Sequence, residues 1–222
     1  MPPRSSRLVL LPGLGGDERL FEPQRDAFPD LEVPAWIEPL RGETLAAYAA
    51  RMAQGVGAGG PLYLGGVSFG GIVALEMARH LKPRAVFLIA SCASRSGIPA
   101  WARVLGPFVR LLPRRALHLP QAAAPWILRR FGQLSPAQQD LFFSLMLRAP
   151  ADFLRWGILA TLGWSPAGLP DVPVHQIHGS DDTLLPVRLA EPQHVVAGAG
   201  HLVNFTHAGQ VNAILRAHMQ QS

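Results

Sequence analysis

The stretch GVSFG, residues 66–70, constrains the fold of this chain more than any other feature. The residues before it, "PLYL", have the apolar character of a buried strand, and residues 69–80 after it place apolar side chains at helical spacing. A strand that turns directly into a helix bends sharply, and glycines on both sides of Ser68 leave room there for neighbouring backbone. The pattern therefore predicts a serine in a strained turn, with its hydroxyl raised above a sheet.

Strand and helix patterns alternate along the rest of the chain. Apolar runs predict strands at 7–11, 61–66, 85–91, 173–179 and 193–200, with a weaker strand around 31–37. Helical spacing predicts helices at 43–56, 69–80 and 208–219. This alternation favours a parallel sheet that is covered by helices on both faces. A length of 222 residues favours a single domain, 1–222.

The strand pattern disappears between Ser91 and Trp164. Apolar residues recur there at helical spacing, which predicts several short helices inserted between two strands, at about residues 92–165. This inserted segment contains nine arginines and two aspartates, so the net charge of +5 is concentrated in it. Two interpretations stay open: a solvated face, or a surface that attracts anionic substrates such as carboxylated esters, acyl thioesters of phosphorylated carriers, or anionic lipid surfaces.

A serine hydroxyl is a weak nucleophile at neutral pH until a base takes its proton, and a carboxylate usually orients that base. Asp181 and Asp182 follow the strand predicted at 173–179, and His201 follows the last predicted strand. Both segments end at the carboxyl edge of the sheet, where α/β proteins bind their ligands. The order serine, acid, histidine is the one that a strand-turn-helix nucleophile requires. The sequence therefore predicts Ser68 as nucleophile and His201 as base.

These motifs resemble the α/β-hydrolase superfamily along nearly the whole chain. The similarity is to compact members with a helical cap, such as small carboxylesterases and the pimeloyl-ester and menaquinone-pathway hydrolases. The resemblance implies that Asp182 is the acid, because the family pattern H-G-x-x-D falls on residues 178–182. It also implies an α/β-hydrolase fold with a shortened, mostly parallel sheet of about six strands, helices on both faces, and a helical cap at about 92–165.

The family's first loop is usually H-G-x-G, whereas this chain has Pro12-Gly13-Leu14-Gly15. The same replacement occurs in thioesterase-like members. By resemblance, the backbone N–H groups of Leu14 and Phe69 form the oxyanion hole. The expected function is hydrolysis of carboxylic esters through an acyl-enzyme. The alternatives are a thioesterase or acyltransferase with the same triad, or a ligand-binding protein that has lost its chemistry.

An apolar wall for the substrate is expected from aromatic residues of the inserted segment. The candidates are Trp101, Phe108, Trp126 and Trp156. Cys92 follows a strand and is interpreted as a small buried hydrophobe. His175 and His178 lie three apart on a strand and so point to opposite faces, which argues against a shared metal ion. No metal or cofactor is expected.

Several other classes of protein are disfavoured. One cysteine excludes an internal disulfide, and the apolar runs are too short for a signal peptide or a membrane span, so a cytoplasmic location is expected. The arginines are not accompanied by a nucleic-acid recognition motif. The expected partner is a small-molecule ester or thioester, neutral or anionic, and the sequence does not predict an oligomeric state.

Overall fold

The computed structural model describes residues 6–57, 59–117, 128 and 131–221. Five parallel strands form one sheet in the order β1-β2-β3-β4-β5. The strands are β1 Arg7–Leu11, β2 Leu62–Val67, β3 Ala85–Ile89, β4 Val174–Gly179 and β5 His194–Val196. All five were predicted, although β5 is shorter than the apolar run at 193–200.

The weak strand expected near 31–37 is reduced to one parallel bridge between Val9 and Glu32. Glu32 N donates to Leu8 O, and Leu10 N donates to Glu32 O, both at 3.0 Å. The next donor in this register belongs to residue 34, which is a proline and has no N–H. The described residues therefore form five strands and a bridge, where about six strands were expected.

Helices cover both faces of the sheet. In chain order they are α1 Glu22–Arg25, α2 Leu45–Gln54, α3 Phe69–Leu81, α4 Ala100–Val109, α5 Pro136–Arg148, α6 Ala151–Gly163, α7 Val187–Ala190, α8 Val203–Thr206 and α9 Ala208–Gln221. Thr44 caps α2 by accepting a hydrogen bond from Ala47 N. Ser135 and Gln138 form a capping box that starts α5.

Alternate residues of the strands contribute to two hydrophobic clusters, one on each face of the sheet. Val9 and Leu64 belong to the cluster that also contains α2 and α3. Leu10 and Phe87 belong to the other cluster, which contains Val211 of α9. Because both faces are covered, β1, β2 and β3 are apolar along nearly their whole length rather than alternating with polar residues.

Helices α4, α5 and α6 lie between β3 and β4, within the inserted segment. Helix α6 approaches the loop that follows β1, since a Cβ on Gly157 would meet the side chain of Leu14. Phe153 and Trp156 of α6 contact the ring of Phe69, with ring centroids 6.3 and 6.0 Å away. In the part of the chain that the structure describes, every helix is too short or too polar to cross a bilayer.

Candidate active site

Ser68 lies between the end of β2 and the start of α3 in a strained backbone conformation. Its φ is 53° and its ψ is −119°, a region that non-glycine residues rarely adopt. Two hydrogen bonds hold the turn: Ser68 N donates to Ile89 O at 2.9 Å, and Ser91 Oγ donates to Ser68 O at 2.7 Å. The turn is therefore fixed by the end of the neighbouring strand, β3.

The glycines that flank Ser68 are required by close packing of the backbone. A Cβ on Gly66 would collide with the backbone of Gly70 and with Leu11 O. A Cβ on Gly70 would collide with the carbonyl oxygens of Leu11 and Pro12. No rotation of a side chain relieves these contacts, because all of them involve backbone atoms. The spacing seen in the sequence thus reflects how tightly the turn packs against the end of β1.

Asp182 and His201 form a buried pair beyond the ends of β4 and β5. His201 Nδ1 lies 2.7 Å from Asp182 Oδ2, and each residue is only 4% exposed. A carboxylate only accepts hydrogen bonds, so Nδ1 carries the proton and Nε2 has a free lone pair. The other carboxylate oxygen, Oδ1, accepts the amides of Leu184 and Leu185, both at 2.9 Å. This network fixes the orientation of the imidazole.

The neighbouring acid, Asp181, does not take part in this network. Its side chain is exposed, and its Oδ1 accepts a hydrogen bond from Ser180 Oγ at 2.7 Å. Of the two consecutive aspartates, the structure brings Asp182 to His201.

The carboxyl group of Asp182 is held in its ionised form. Burial favours the neutral acid, but the adjacent His201, its hydrogen bond and the Leu185 amide outweigh burial and lower the pKa of Asp182. His178 is also close, with Nε2 at 3.7 Å from Asp182 Oδ2, but its Nε2 bonds Leu185 O at 3.1 Å. Burial lowers the pKa of His178, although the nearby Asp182 charge opposes this effect. His178 is therefore a neutral neighbour of the pair.

Ser68, Asp182 and His201 all follow carboxyl ends of strands and so lie at one edge of the sheet. Within the described residues, Ser68 Oγ makes no hydrogen bond within 3.5 Å, to His201 or to any other group. Catalytic hydrogen bonds are often long in enzymes without substrate and tighten when the reacting complex forms. Activation of Ser68 by His201 stays a prediction.

The two expected oxyanion donors lie on either side of this turn. Phe69 is the first residue of α3, so its N–H has no partner within the helix, and the positive end of the helix dipole lies there. A Cβ on Gly13, the neighbour of Leu14, would lie 3.9 Å from Ser68 Cβ. Among the described residues neither the Leu14 nor the Phe69 amide donates a hydrogen bond. Both amides are free to bind a developing negative charge.

A cavity of about 560 Å³ opens beside this loop, between the residues that follow β1 and the junction of α5 with α6. Its apolar wall contains Trp36, Leu145 and Phe153. Its charged groups are Asp17, Glu38, Arg148 and Asp152. Arg19 pairs with Asp17 at 2.7 Å and Arg114 with Asp152 at 2.6 Å, so the charges around the cavity are balanced.

The aromatic residues expected to form the substrate wall occupy other positions. Trp101 and Phe108 are 56% and 61% exposed on α4, and neither lines this cavity. Trp156 packs on Tyr48 with ring centroids 4.4 Å apart, and its Nε1 donates to Glu43 O at 3.0 Å. Trp126 lies outside the described residues. A role for these four residues in binding substrate stays a prediction.

Sequence reasoning did not single out Trp36, Phe153 or Ser91. Phe153 and Trp36 pack together, with ring centroids 5.7 Å apart, and both line the cavity. In the sequence, Phe153 belongs to the apolar pattern of the inserted segment, and Ser91 is the last residue of the strand predicted at 85–91. Trp36 falls in the weak strand expected around 31–37, so only its tertiary contacts identify it as a residue of the cavity. Cys92 is fully buried, which raises its pKa to about 12 and agrees with its interpretation as a small hydrophobe.

The fold is similar to solved structures of esterases and a thioesterase. A thermophilic esterase from Thermogutta terrifontis is 20% identical with a TM-score of 0.75, and the match covers 99% of this chain and 91% of that one. An esterase from Exiguobacterium antarcticum is 15% identical with a TM-score of 0.74, covering 98% and 93%. A type II thioesterase from the yersiniabactin NRPS/PKS biosynthetic pathway is 20% identical with a TM-score of 0.65, covering 100% and 95%. At these identities the likeness shows a shared fold.

No curated protein matches the sequence significantly. The model of the alpha/beta hydrolase family, in contrast, matches residues 7–214, from the first strand into the last helix. The matched range includes the turn at Ser68 and the pair formed by Asp182 and His201. The chain belongs to the alpha/beta hydrolase family.

Proposed function

We propose that this protein hydrolyses carboxylic esters through an acyl-enzyme, with Ser68 as nucleophile, His201 as general base and Asp182 as the acid that orients it. The observation that carries the proposal is the buried 2.7 Å contact between His201 and Asp182, at the same sheet edge as the strained turn of Ser68. The esterase folds to which the chain is similar support the choice of substrate class.

The reaction begins when His201 Nε2 takes the hydroxyl proton of Ser68 and Oγ attacks the carbonyl carbon of the ester. The carbonyl electron pair moves to oxygen, and the Leu14 and Phe69 amides bind the resulting oxyanion. His201 then gives its proton to the leaving alcohol as the tetrahedral intermediate collapses to an acyl-serine. Water repeats the sequence and releases the acid. Asp182 stabilises the imidazolium in both steps.

The inserted segment is proposed to act as a cap over this site. Its helices α5 and α6 border the cavity next to Gly15, one residue beyond the Leu14 amide. The balanced charge around the cavity favours a neutral acyl or alcohol group there. The apolar wall of Trp36, Leu145 and Phe153 fits a short aliphatic or aromatic group.

A thioesterase or acyltransferase with the same three residues is the second candidate. Two observations favour it: Pro12 stands where esterase-like members have histidine, and the type II thioesterase has the same fold. An oxygen ester and a thioester with the same acyl group separate the candidates. We expect a higher kcat/KM for the oxygen ester, and a large preference for the thioester would favour the second candidate.

The decisive experiment is Ser68→Ala, assayed with short p-nitrophenyl esters. We expect the variant to keep its thermal unfolding temperature and to lose at least about 10⁴-fold in kcat, because no nucleophile remains. Ser96→Ala, at an exposed serine beyond β3, is the matched control and should keep full activity. Retained hydrolysis in folded Ser68→Ala would show that another residue is the nucleophile. Absence of any hydrolysis in the parent protein would favour a non-catalytic binding protein.

A further inference from the structure

Three histidines cluster at the amino edge of the sheet, opposite the edge that carries Ser68. They are His175 on β4, His194 at the start of β5 and His218 near the end of α9. The sheet register explains why two of them meet: Ile177 pairs with His194, and His175 lies two residues before Ile177 on the same face of β4. Helix α9 covers that face and brings the third ring.

The contacts within the cluster are short. His194 Nε2 lies 3.0 Å from His218 Nε2. Three ring nitrogens, one from each histidine, all lie within 4.8 Å of one another. The rings of His175 and His218 stack with centroids 3.7 Å apart. All three side chains are half-buried, so the cluster is accessible to small ions from solvent.

Three imidazoles at such distances have a known chemical use. Neutral imidazole is the commonest metal ligand in proteins and suits Zn²⁺, Cu²⁺ and Ni²⁺ rather than Mg²⁺ or Ca²⁺, which prefer oxygen. Burial, with repulsion from the neighbouring rings, lowers the pKa of His175 and His194 and keeps both neutral at pH 7. Three histidines also leave one position of a tetrahedral Zn²⁺ site for water.

We infer that His175, His194 and His218 form a binding site for Zn²⁺ or a similar transition metal, separate from the candidate active site. The site goes beyond the proposed hydrolysis and does not depend on it. His175 and His178, the pair that the sequence disfavours as a metal site, do lie on opposite faces of β4. The strand register and α9 instead bring His194 and His218 to His175.

Binding requires small side-chain movements. Each Zn–N bond is about 2.0–2.1 Å, so in a tetrahedral site the three nitrogens must come to about 3.3 Å from one another. Stacked rings direct their nitrogens in parallel, so the His175 or His218 ring must turn about χ2, a torsion with a broad energy minimum in histidine. Both Nε2 lone pairs can bind the metal in the tautomers of His194 and His218 that carry the proton on Nδ1.

The metal would connect β4, the three-residue edge strand β5 and the terminal helix. A ligand that binds only the folded chain raises its stability in proportion to the logarithm of the ligand concentration over Kd. We therefore expect a structural role, in which the metal holds helix α9 against the edge strand β5. The segment that carries His201 continues from this strand.

Zn²⁺ binding to the chelator-treated, untagged protein tests the site by calorimetry and thermal unfolding. We expect one Zn²⁺ per chain, micromolar or tighter affinity, and a higher unfolding temperature. Co²⁺ should give the visible absorption of a tetrahedral complex. His194→Ala and His218→Gln should each weaken Zn²⁺ affinity at least tenfold, whereas His80→Ala, which removes an exposed histidine of α3, should not.

Two results would overturn the site. One is no saturable Zn²⁺ binding at micromolar concentrations. The other is equal affinity in the parent protein and in both cluster variants, which would place the ion elsewhere, for example at His201. If His194→Ala does not fold, His218→Gln supplies the same test. Ester hydrolysis measured with and without Zn²⁺ identifies binding at the active site, because that ion would inhibit.

Discussion

The carboxyl edge of the sheet and the inserted segment are built by different physical rules. At the carboxyl edge, backbone atoms decide the structure: Gly66 and Gly70 face carbonyl oxygens, and the ends of β1 and β3 fix the turn of Ser68. In the inserted segment, side-chain packing decides which aromatic residue is buried, and exposed Phe108 and buried Phe153 lie on neighbouring helices of similar composition. Local sequence patterns anticipate the first region, whereas the second depends on tertiary packing.

The largest contrast within the carboxyl edge is between two adjacent acids. Asp182→Asn should lower kcat for ester hydrolysis about 10⁴-fold, because the amide favours the wrong tautomer of His201 and does not stabilise the imidazolium. Asp181→Asn should leave kcat unchanged, since the exposed carboxylate of Asp181 accepts a hydrogen bond from Ser180 Oγ and, unlike that of Asp182, does not bond His201. Steady-state kinetics of both variants measure the effect. Equal losses, or a loss confined to Asp181→Asn, would contradict the assignment.

In the inserted segment, two phenylalanines should differ in stability. Phe153→Ala should cost about 3–5 kcal/mol of unfolding free energy, because the 6%-exposed ring packs on Trp36 and Phe69. Phe108→Ala, at a ring that is 61% exposed, should change stability by about 0.5 kcal/mol or less. Urea unfolding of each variant gives both numbers. A large loss in Phe108→Ala would indicate that α4 is covered in solution.

The buried His178 beside the acid should make stability depend on pH. Its pKa is lowered in the folded chain, so the unfolded chain takes up the proton first, at about pH 6.5. The unfolding free energy is therefore highest above about pH 6.5 and decreases as the pH falls towards the pKa of His178 in the folded chain. His178 contributes at most about 1.4 kcal/mol per pH unit to the slope of unfolding free energy against pH.

His178→Asn should flatten this slope between about pH 7 and pH 5, and His80→Asn, at an exposed position, should leave it unchanged. Unfolding free energies from urea titrations at several pH values give the slopes for the parent protein and for both variants. An unchanged slope in His178→Asn would show that His178 does not titrate differently in the two states.

The smallest expected effect concerns the arginines of the inserted segment. Arg148 lines the cavity, but Glu38 balances its charge, and the two aspartates there are paired with Arg19 and Arg114. We therefore expect added salt to change kcat/KM by a similar factor for an anionic ester and for a neutral one. The two factors should differ by no more than about threefold. A steep fall with salt for the anionic ester alone would show that the segment attracts anionic substrates.

The sequence predicted most of the sheet and the candidate catalytic residues because these depend on local patterns. Apolar runs marked β1 to β4, and glycine spacing marked the turn of Ser68. The sixth strand was overestimated, because Pro34 ends its pairing after one bridge. The apolar wall of the cavity and the histidine cluster could not be predicted, since Trp36 meets Phe153, and His175 meets His218, only through tertiary packing.

The central claim is that Ser68 is a nucleophile activated by His201. A fluorophosphonate probe, followed by mass spectrometry of the intact chain and its peptides, tests it most directly. The account predicts one adduct per chain, on Ser68, absent in Ser68→Ala and formed far more slowly in His201→Ala. An unlabelled parent protein, or an adduct that forms equally fast in His201→Ala, would contradict it.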